Sequence, residues 1–199
     1  MYLAKKDGHS VRALTIRIHG TARGELRAAR RIGKRAGVAE HRFVTIPELR
    51  EAGDIAVPGR LSGPAVLPTY IPMKNAIYYS IAASFAEETG SNYIVGGHNM
   101  DDRLFFEDTS DEFFRDLQRT LLAGSVRLRE SRMRILRPLR RRSKVEVVKL
   151  AAELGVPLEL TWSCHVDGEE QCGECSGCRQ RVESFRAAGI DDPLHPKKA

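Results

Sequence analysis

All four cysteines of the 199-residue chain lie close together, and their type and spacing indicate chemistry more directly than any other feature. Cys164, Cys172, Cys175 and Cys178 have the spacing C-x7-C-x2-C-x2-C. Thiolates two residues apart on a tight loop can face one ion, and Gly173 lets the backbone fold sharply around it. This ligand set favours Zn²⁺. Because four sulfur ligands leave no open position for a substrate, we expect a structural role for the ion.

Three other interpretations of these cysteines are open. A disulfide pair would need an oxidising compartment, whereas the sequence starts without an apolar signal segment, so we expect an intracellular, cytoplasmic protein. An iron–sulfur cluster also uses C-x2-C-x2-C, but its usual fourth Cys followed by Pro is absent. His165 could replace one sulfur ligand, although side chains that are neighbours in sequence rarely reach the same ion.

The elements that must position these residues alternate between strand and helix patterns. Strand patterns cover residues 11–18, 41–46, 93–95 and 134–136, and helical patterns cover 25–36, 75–88, 143–154 and a last helix that ends at Gly189. A further helix is expected to open with a capping box at Thr109-Ser110-Asp111-Glu112, and another box lies at Ser143 to Glu146. The alternation predicts an α/β fold with a doubly wound, mainly parallel sheet, followed by a C-terminal zinc loop and helix.

A polar loop follows the strand pattern at 93–95, which we expect to be buried. The loop reads Gly96-Gly97-His98-Asn99-Met100-Asp101-Asp102. Open α/β sheets bind ligands at the carboxyl ends of their strands, so this loop is expected at the ligand edge. Residues 47–72 hold five of the nine prolines and are expected to form a loop, of a length that is usually functional or mobile.

Composition limits the classes of protein that this chain can belong to. Hydrophobic residues make up 42% of the chain, which is enough for a globular core, and the net charge of +6 favours partners that carry phosphate. A solvated basic surface is the alternative explanation of the charge. No apolar run approaches the length of a membrane span, so we expect no membrane partner.

Several segments closely resemble the QueC family of 7-cyano-7-deazaguanine synthases, which have the ATP-pyrophosphatase (adenine nucleotide α-hydrolase-like) fold. The most specific are the run from Leu154 to Cys178 and the run from Phe185 to Pro193. The likeness extends to Ile71-Pro72-Met73-Lys74-Asn75, to Gly97 through Asp102, and to Pro138 through Glu146, so it covers almost the whole chain.

The chain departs from the family pattern in two respects. The ATP-binding loop Ser-Gly-Gly-x-Asp-Ser does not occur in it. Residues 1–160 are therefore expected to be a nucleotide-binding domain without its first strand and phosphate loop. Residues 161–199 are expected to form a zinc-binding loop, a terminal helix and a tail. A start codon assigned too far downstream, a separate chain that supplies the loop, and a pseudo-enzyme are three explanations. Lys74 stands where the family has Arg, and no Cys-Arg-Pro occurs near Thr109.

The resemblance implies an ATP-dependent ligase that makes 7-cyano-7-deazaguanine from 7-carboxy-7-deazaguanine and ammonia, for queuosine or archaeosine in tRNA. ATP and Mg²⁺ are expected besides Zn²⁺, and a homodimer or a partner chain carrying the phosphate loop is an expected assembly. Asn99 and Asp102 would hold Mg²⁺ or substrate nitrogens, Lys144 would contact pyrophosphate, and Lys74 and Asn75 would bind the nucleotide. Turn capping by Asn99 and Asp102, an exposed Lys144 and helix capping by Asn75 are the alternatives.

Two other functions are open at this point. The Gly-His-Asn-x-Asp-Asp loop is also similar to that of tRNA-thiolating ATP pyrophosphatases, but a metal that binds all four cysteines leaves none for sulfur transfer. A non-catalytic, zinc-stapled module would instead bind RNA through basic residues such as Arg137, Arg140, Arg141 and Arg142.

Overall fold

The chain forms two compact units in a computed structural model, which describes residues 1–50, 71–104 and 106–195. One unit joins Met1–Pro47 to Arg142–Ala199, and the other spans Glu48–Arg141. Most of the loop predicted at 47–72 lies outside the described residues. The boundary that the sequence places after residue 160 stays a prediction.

The first unit contains a two-stranded parallel sheet with a helix packed on it. Its elements are α1 (Tyr2–Lys6), β1 (Arg12–Ile18), α2 (Arg23–Ala36), β2 (Glu40–Ile46), α6 (Lys144–Glu153) and α7 (Ser176–Ala188), with a 3-10 turn at Leu158–Leu160. Arg12 to Ile18 pair in register with Glu40 to Ile46. A methyl group at Gly33 would lie 2.6 Å from Nδ1 of His41, so α2 approaches the sheet closely only because this position is glycine.

The second unit has its own parallel strand pair and its own core. Its elements are α3 (Lys74–Thr89), β3 (Tyr93–Val95), α4 (Asp111–Gly124), α5 (Val126–Glu130) and β4 (Arg134–Leu136), with 3-10 turns at Asp101–Leu104 and Glu107–Thr109. Strands β3 and β4 are parallel. The buried core residues are Tyr79, Ala83, Ala86, Ile94, Phe114, Leu128 and Met133.

The structure confirms the α/β class with parallel strands and corrects two local predictions. Strand β3 is not buried throughout, because only Ile94 faces the core, while Tyr93 and Val95 on the opposite face are 43% and 45% exposed. The N-cap of helix α4 is Ser110, whose hydroxyl accepts a hydrogen bond from the Phe113 N–H. The cap therefore lies one residue after the predicted Thr109, and Glu112 does not complete a capping box. The capping box of Ser143 and Glu146 is present as predicted.

Among the described residues, no helix combines the length and the apolarity needed to cross a lipid bilayer.

A buried ion pair joins α7 to the segments before the cysteines and after the helix. The Arg181 guanidinium on α7 donates to both carboxylate oxygens of Asp192 at 2.8 to 3.0 Å, and the two side chains are each 4% exposed. The same guanidinium donates to Thr161 Oγ1 at 2.6 Å and to the Leu158 carbonyl at 3.2 Å. Burial acts to raise the pKa of Asp192, but the bonds from Arg181 outweigh it and hold that pKa below its usual value.

Arg181→Met should destabilise the first unit strongly. The substitution leaves the Asp192 carboxylate buried without its cation, and breaking such pairs costs about 3–5 kcal/mol. Urea denaturation followed by circular dichroism measures the loss. Arg186→Met on the exposed side of α7 is the matched control and should change the free energy of unfolding by less than about 0.5 kcal/mol. Equal effects of the two substitutions would contradict this account of the pair.

Candidate functional site

The four cysteine sulfurs converge as the spacing predicted. All Sγ atoms lie within 4.8 Å of one another. Cys164 Sγ is 3.5 Å from that of Cys172 and 3.9 Å from that of Cys175, and the Cys172 and Cys178 sulfurs are 4.0 Å apart. A tetrahedral ion with metal–sulfur bonds of about 2.3 Å places its ligands about 3.8 Å apart. The cluster can therefore hold one metal ion, and His165 is not part of it.

Helix α7 and two glycines bring the sulfurs together. Cys175 is the N-cap of α7, and Cys178 lies in the first turn. Gly173 has φ 76°, a conformation that side chains rarely adopt. Any side chain at Gly177 would overlap the Ser163 carbonyl oxygen, so the start of α7 can lie against the segment of Cys164 only because that residue is glycine.

Backbone groups favour thiolates at part of the cluster. The N–H groups of Val166 and Cys172 donate to Cys164 Sγ at 3.3 and 3.4 Å. The Cys175 N–H is the main cause of a lowered pKa at Cys172. Burial acts to raise the pKa of Cys175, but N–H donors outweigh it and bring the value to about 6. Burial raises the pKa of Cys178 to about 12, so a bound cation is needed to ionise all four sulfurs together.

The cysteine segment is attached to the start of α2. Trp162 donates its indole N–H to the Cys164 carbonyl at 2.8 Å, and its ring lies so close to Gly24 that a methyl group there would overlap it. Ala22, the N-cap of α2, has no side chain that can cap the helix. Asp167 takes that role from the cysteine segment, because its carboxylate accepts from the Arg23 N–H and from Arg23 Nε, both at 2.8 Å.

In the second unit, Asn99 and Asp102 contact each other. The backbone N–H and the side-chain amide of Asn99 donate to Asp102 Oδ2 at 2.9 and 3.2 Å, and Asn99 Oδ1 accepts from the Asp101 N–H at 2.9 Å. Asn99 is 4% exposed. Its side chain thus holds the turn, while Asp102 lines a small cavity of about 140 Å³.

Lys74 and Asn75 line the same cavity from the start of α3. Asn75 is buried, its N–H donates to Asp108 Oδ2 at 3.0 Å and its amide to the Asp108 carbonyl at 3.1 Å. The residue before them, Met73, has φ 52°, which is uncommon for a residue other than glycine. Asn75 therefore joins α3 to the turn at Glu107–Thr109. The capping alternative is wrong, because Met73 is the N-cap and Asn75 lies inside the helix.

His98 is a cavity residue that the sequence did not single out. It stacks on Tyr79 with ring centroids 5.9 Å apart and lies 4.0 Å from Asp102, measured from Nδ1 to Oδ2. Burial lowers the pKa of His98, which keeps the ring neutral at pH 7. Gly96, two residues before His98, also packs closely on Tyr79, because a side chain at this position would overlap the Tyr79 hydroxyl. The position of a histidine inside a polar loop was the only sequence signal.

The other predicted residues lie elsewhere. Lys144 is the first residue of α6 and belongs to the first unit, whereas the cavity of Lys74 and Asp102 belongs to the second.

Arg137 is not a solvated residue, since its side chain is 9% exposed, bonds Asp111 at 2.7 Å and lies over the Phe114 ring. Arg140 also faces Asp111, at 3.8 Å.

Comparison with known proteins identifies the family. The family model described as "Queuosine biosynthesis protein QueC" matches residues 1–189. A 7-cyano-7-deazaguanine synthase of Aliarcobacter butzleri is 32% identical over 99% of this chain and 89% of its own length. The protein of that name from Thermoplasma acidophilum is 36% identical, over 96% of this chain and 83% of its own length. The Legionella pneumophila (strain Paris) protein is 35% identical, over 98% and 90%. The chain belongs to the QueC family.

Membership in the QueC family confirms the resemblance seen in the sequence, including its extent along the chain. The match covers the cysteine segment and the polar loop alike. It does not assign roles to individual side chains, so those of Lys74, Asn75, Asn99, Asp102 and Lys144 stay predictions.

Gly24→Ala should move Trp162, the single tryptophan of the chain. An alanine inside a helix is normally more stable than glycine by about 0.5–1 kcal/mol, but here its methyl group would displace the indole. We expect tryptophan emission at longer wavelength and a lower free energy of unfolding. Gly124→Ala is the matched control, because nothing lies within 4 Å of the methyl group that it adds. An unchanged emission spectrum in Gly24→Ala would contradict the packing described.

Proposed function

We propose that this chain is an ATP-dependent ligase that converts 7-carboxy-7-deazaguanine and ammonia into 7-cyano-7-deazaguanine, for the deazapurine nucleosides of tRNA. The match of residues 1–189 to the QueC family is the observation that supports it most. The relatives are named 7-cyano-7-deazaguanine synthases, and that name gives the product that we propose for this chain. The homodimer and the partner chain expected from the sequence stay predictions.

The proposed reaction has two activation steps. The substrate carboxylate attacks the α-phosphorus of ATP and releases pyrophosphate, and ammonia then displaces AMP to give an amide and a proton. The amide oxygen attacks the α-phosphorus of a second ATP and releases pyrophosphate. Departure of AMP with the two remaining amide protons leaves the nitrile. Each oxygen lost from carbon leaves on AMP, so no side-chain nucleophile is required. What the protein must supply is positive charge near pyrophosphate and a site that excludes water.

The cavity residues fit supporting roles in this chemistry. Asp102 would hold Mg²⁺, and Asn99 would keep its carboxylate in place. Lys74, whose ammonium lies 6.0 Å from the centre of the Phe106 ring, would contact phosphate, and Asn75 would fix the cavity wall beside the nucleotide. Mg²⁺ bound with ATP would neutralise part of the charge on the leaving pyrophosphate. Lys144, at the N-terminus of α6, would contact pyrophosphate.

Zn²⁺ fits the cysteine cluster better than other ions. Four sulfurs at tetrahedral spacing suit Zn²⁺, and a four-coordinate site leaves no position for a substrate, so its role would be structural. Neither sulfur transfer to tRNA nor a purely RNA-binding role is favoured by the comparisons, which name the deazaguanine synthase throughout the relatives described.

The purified chain should contain one Zn²⁺, measured by plasma mass spectrometry. Cys178→Ser should lose most of it, because serine is a poor zinc ligand and Cys178 is buried, and the first unit should unfold at a lower urea concentration. Ser176→Ala, in the same segment, is the control and should keep the metal. Iron together with sulfide in the wild-type chain would contradict the zinc assignment.

Mass spectrometry should detect 7-cyano-7-deazaguanine when the chain is incubated with 7-carboxy-7-deazaguanine, ammonium, ATP and Mg²⁺. Asp102→Asn should lower kcat/KM by about 100-fold or more, since it removes the negative charge that would hold Mg²⁺. Asp116→Asn, on the exposed face of α4, should leave the rate unchanged. A wild-type chain that forms neither nitrile nor AMP would contradict the proposed function.

A further inference from the structure

A cavity of the first unit lies between α2 and the cysteine segment. Its volume is about 450 Å³, and its walls include Ala28 of α2, Leu160 and Trp162 before the cysteines, and Leu194 near the end of the described chain. Cavities that enclose small organic ligands usually measure about 300–1,000 Å³. The cavity of Lys74 and Asp102, at about 140 Å³, is below that range. The larger cavity therefore has room for a bicyclic ring.

Two polar atoms in the wall of this cavity have no partner among the described residues. Gln171 Nε2 and His195 Nε2 are both inaccessible to solvent and make no hydrogen bond there. The rest of the Gln171 amide is fixed, because its Oε1 accepts from the Ser163 N–H at 2.9 Å. A buried amide N–H without a partner is destabilising, so an acceptor atom from a ligand would stabilise this arrangement.

The charges around the cavity are of both signs. Arg27 is already engaged, since it donates to the Gly168 carbonyl at 2.9 Å and pairs with Glu169 at 3.5 Å. Arg31, one turn further along α2, makes no ion pair with the described residues and remains a cation for a ligand. Glu159 and Glu170 are exposed carboxylates in the same wall, and they can only accept hydrogen bonds.

We propose that this cavity binds 7-carboxy-7-deazaguanine, with the ligand carboxylate at Arg31 and Gln171 and the ring against Leu160 and Leu194. The inference rests on the proposed function and assigns its substrate a place. A guanine-type ring presents an N–H and an amino group side by side, which a carboxylate such as Glu159 or Glu170 can accept. The carboxylate on the other ring needs a cation and a donor. An adenine ring lacks the paired donors, so it fits the acidic part of the wall less well.

Calorimetric titration without ATP tests the site independently of turnover. The probes are 7-carboxy-7-deazaguanine and 7-deazaguanine, which lacks the carboxylate. Arg31→Gln and Gln171→Glu should each weaken binding of the carboxylated ligand about tenfold or more, because one removes a charge and the other replaces an N–H donor with an oxygen. Binding of 7-deazaguanine should be weaker in the wild type and insensitive to Arg31→Gln. Arg35→Gln, another exposed arginine of α2, is the matched control.

The outcomes separate this site from the function itself. Equal affinity of the wild type, Arg31→Gln and Gln171→Glu for the carboxylated ligand overturns the site, and nitrile formation with unchanged KM in both variants would show that the function stands without it. AMP that binds more tightly than the deazaguanine and responds to Arg31→Gln would assign the cavity to a nucleotide and overturn the proposal. Unchanged thermal unfolding and metal content show that each variant is folded.

Discussion

Four thiol groups held within 4.8 Å of one another are the constraint on which much of the first unit depends. Four thiolates at this separation repel one another, and four thiols offer little attraction, so a cation at their centre would stabilise the arrangement. The same segment carries Trp162 and Asp167 to the start of α2, where they supply the packing and the cap that the helix lacks. The segment that carries the cysteine cluster thereby contacts an element more than a hundred residues earlier in the chain.

Many of the arginines in this protein contact other residues of the chain. On α2, Arg23 and Arg27 bond the cysteine segment, and Arg30 lies 4.2 Å from the centre of the Phe43 ring. Arg137 and Arg181 are buried against carboxylates in their own units. A basic composition was compatible with binding phosphate, but these arginines contribute to packing and helix capping first. Arg31 differs from them because it makes no ion pair with the described residues, so we infer that it contacts a ligand.

Local patterns in the sequence predicted most of the elements and the cysteine cluster. Periodicity located β1, α2, β2, α3 and α7 within a few residues, and the spacing of the cysteines predicted their convergence, because both are short-range properties. The partners of Arg181 and Asp167 could not be predicted, since they are far away in sequence and depend on how elements pack. The one-residue shift at Ser110 has a different cause: Thr109 and Ser110 are both competent caps, and the Thr109 hydroxyl bonds the Phe106 carbonyl instead.

Gly96 illustrates how packing can resemble a functional motif. Gly96 is the first residue of the polar loop, where a glycine suggests a close approach to phosphate. The structure gives a different reason for the glycine, because a side chain there would overlap the Tyr79 hydroxyl in the core. Tyr79 in turn packs edge-on against Phe114, with centroids 4.8 Å apart. Selection for folding alone would therefore retain glycine at this position, even in family members that had lost catalysis. A glycine kept at position 96 in relatives would therefore report on the tyrosine beneath it, whereas variation at Lys74 or Asp102 would carry information about the reaction.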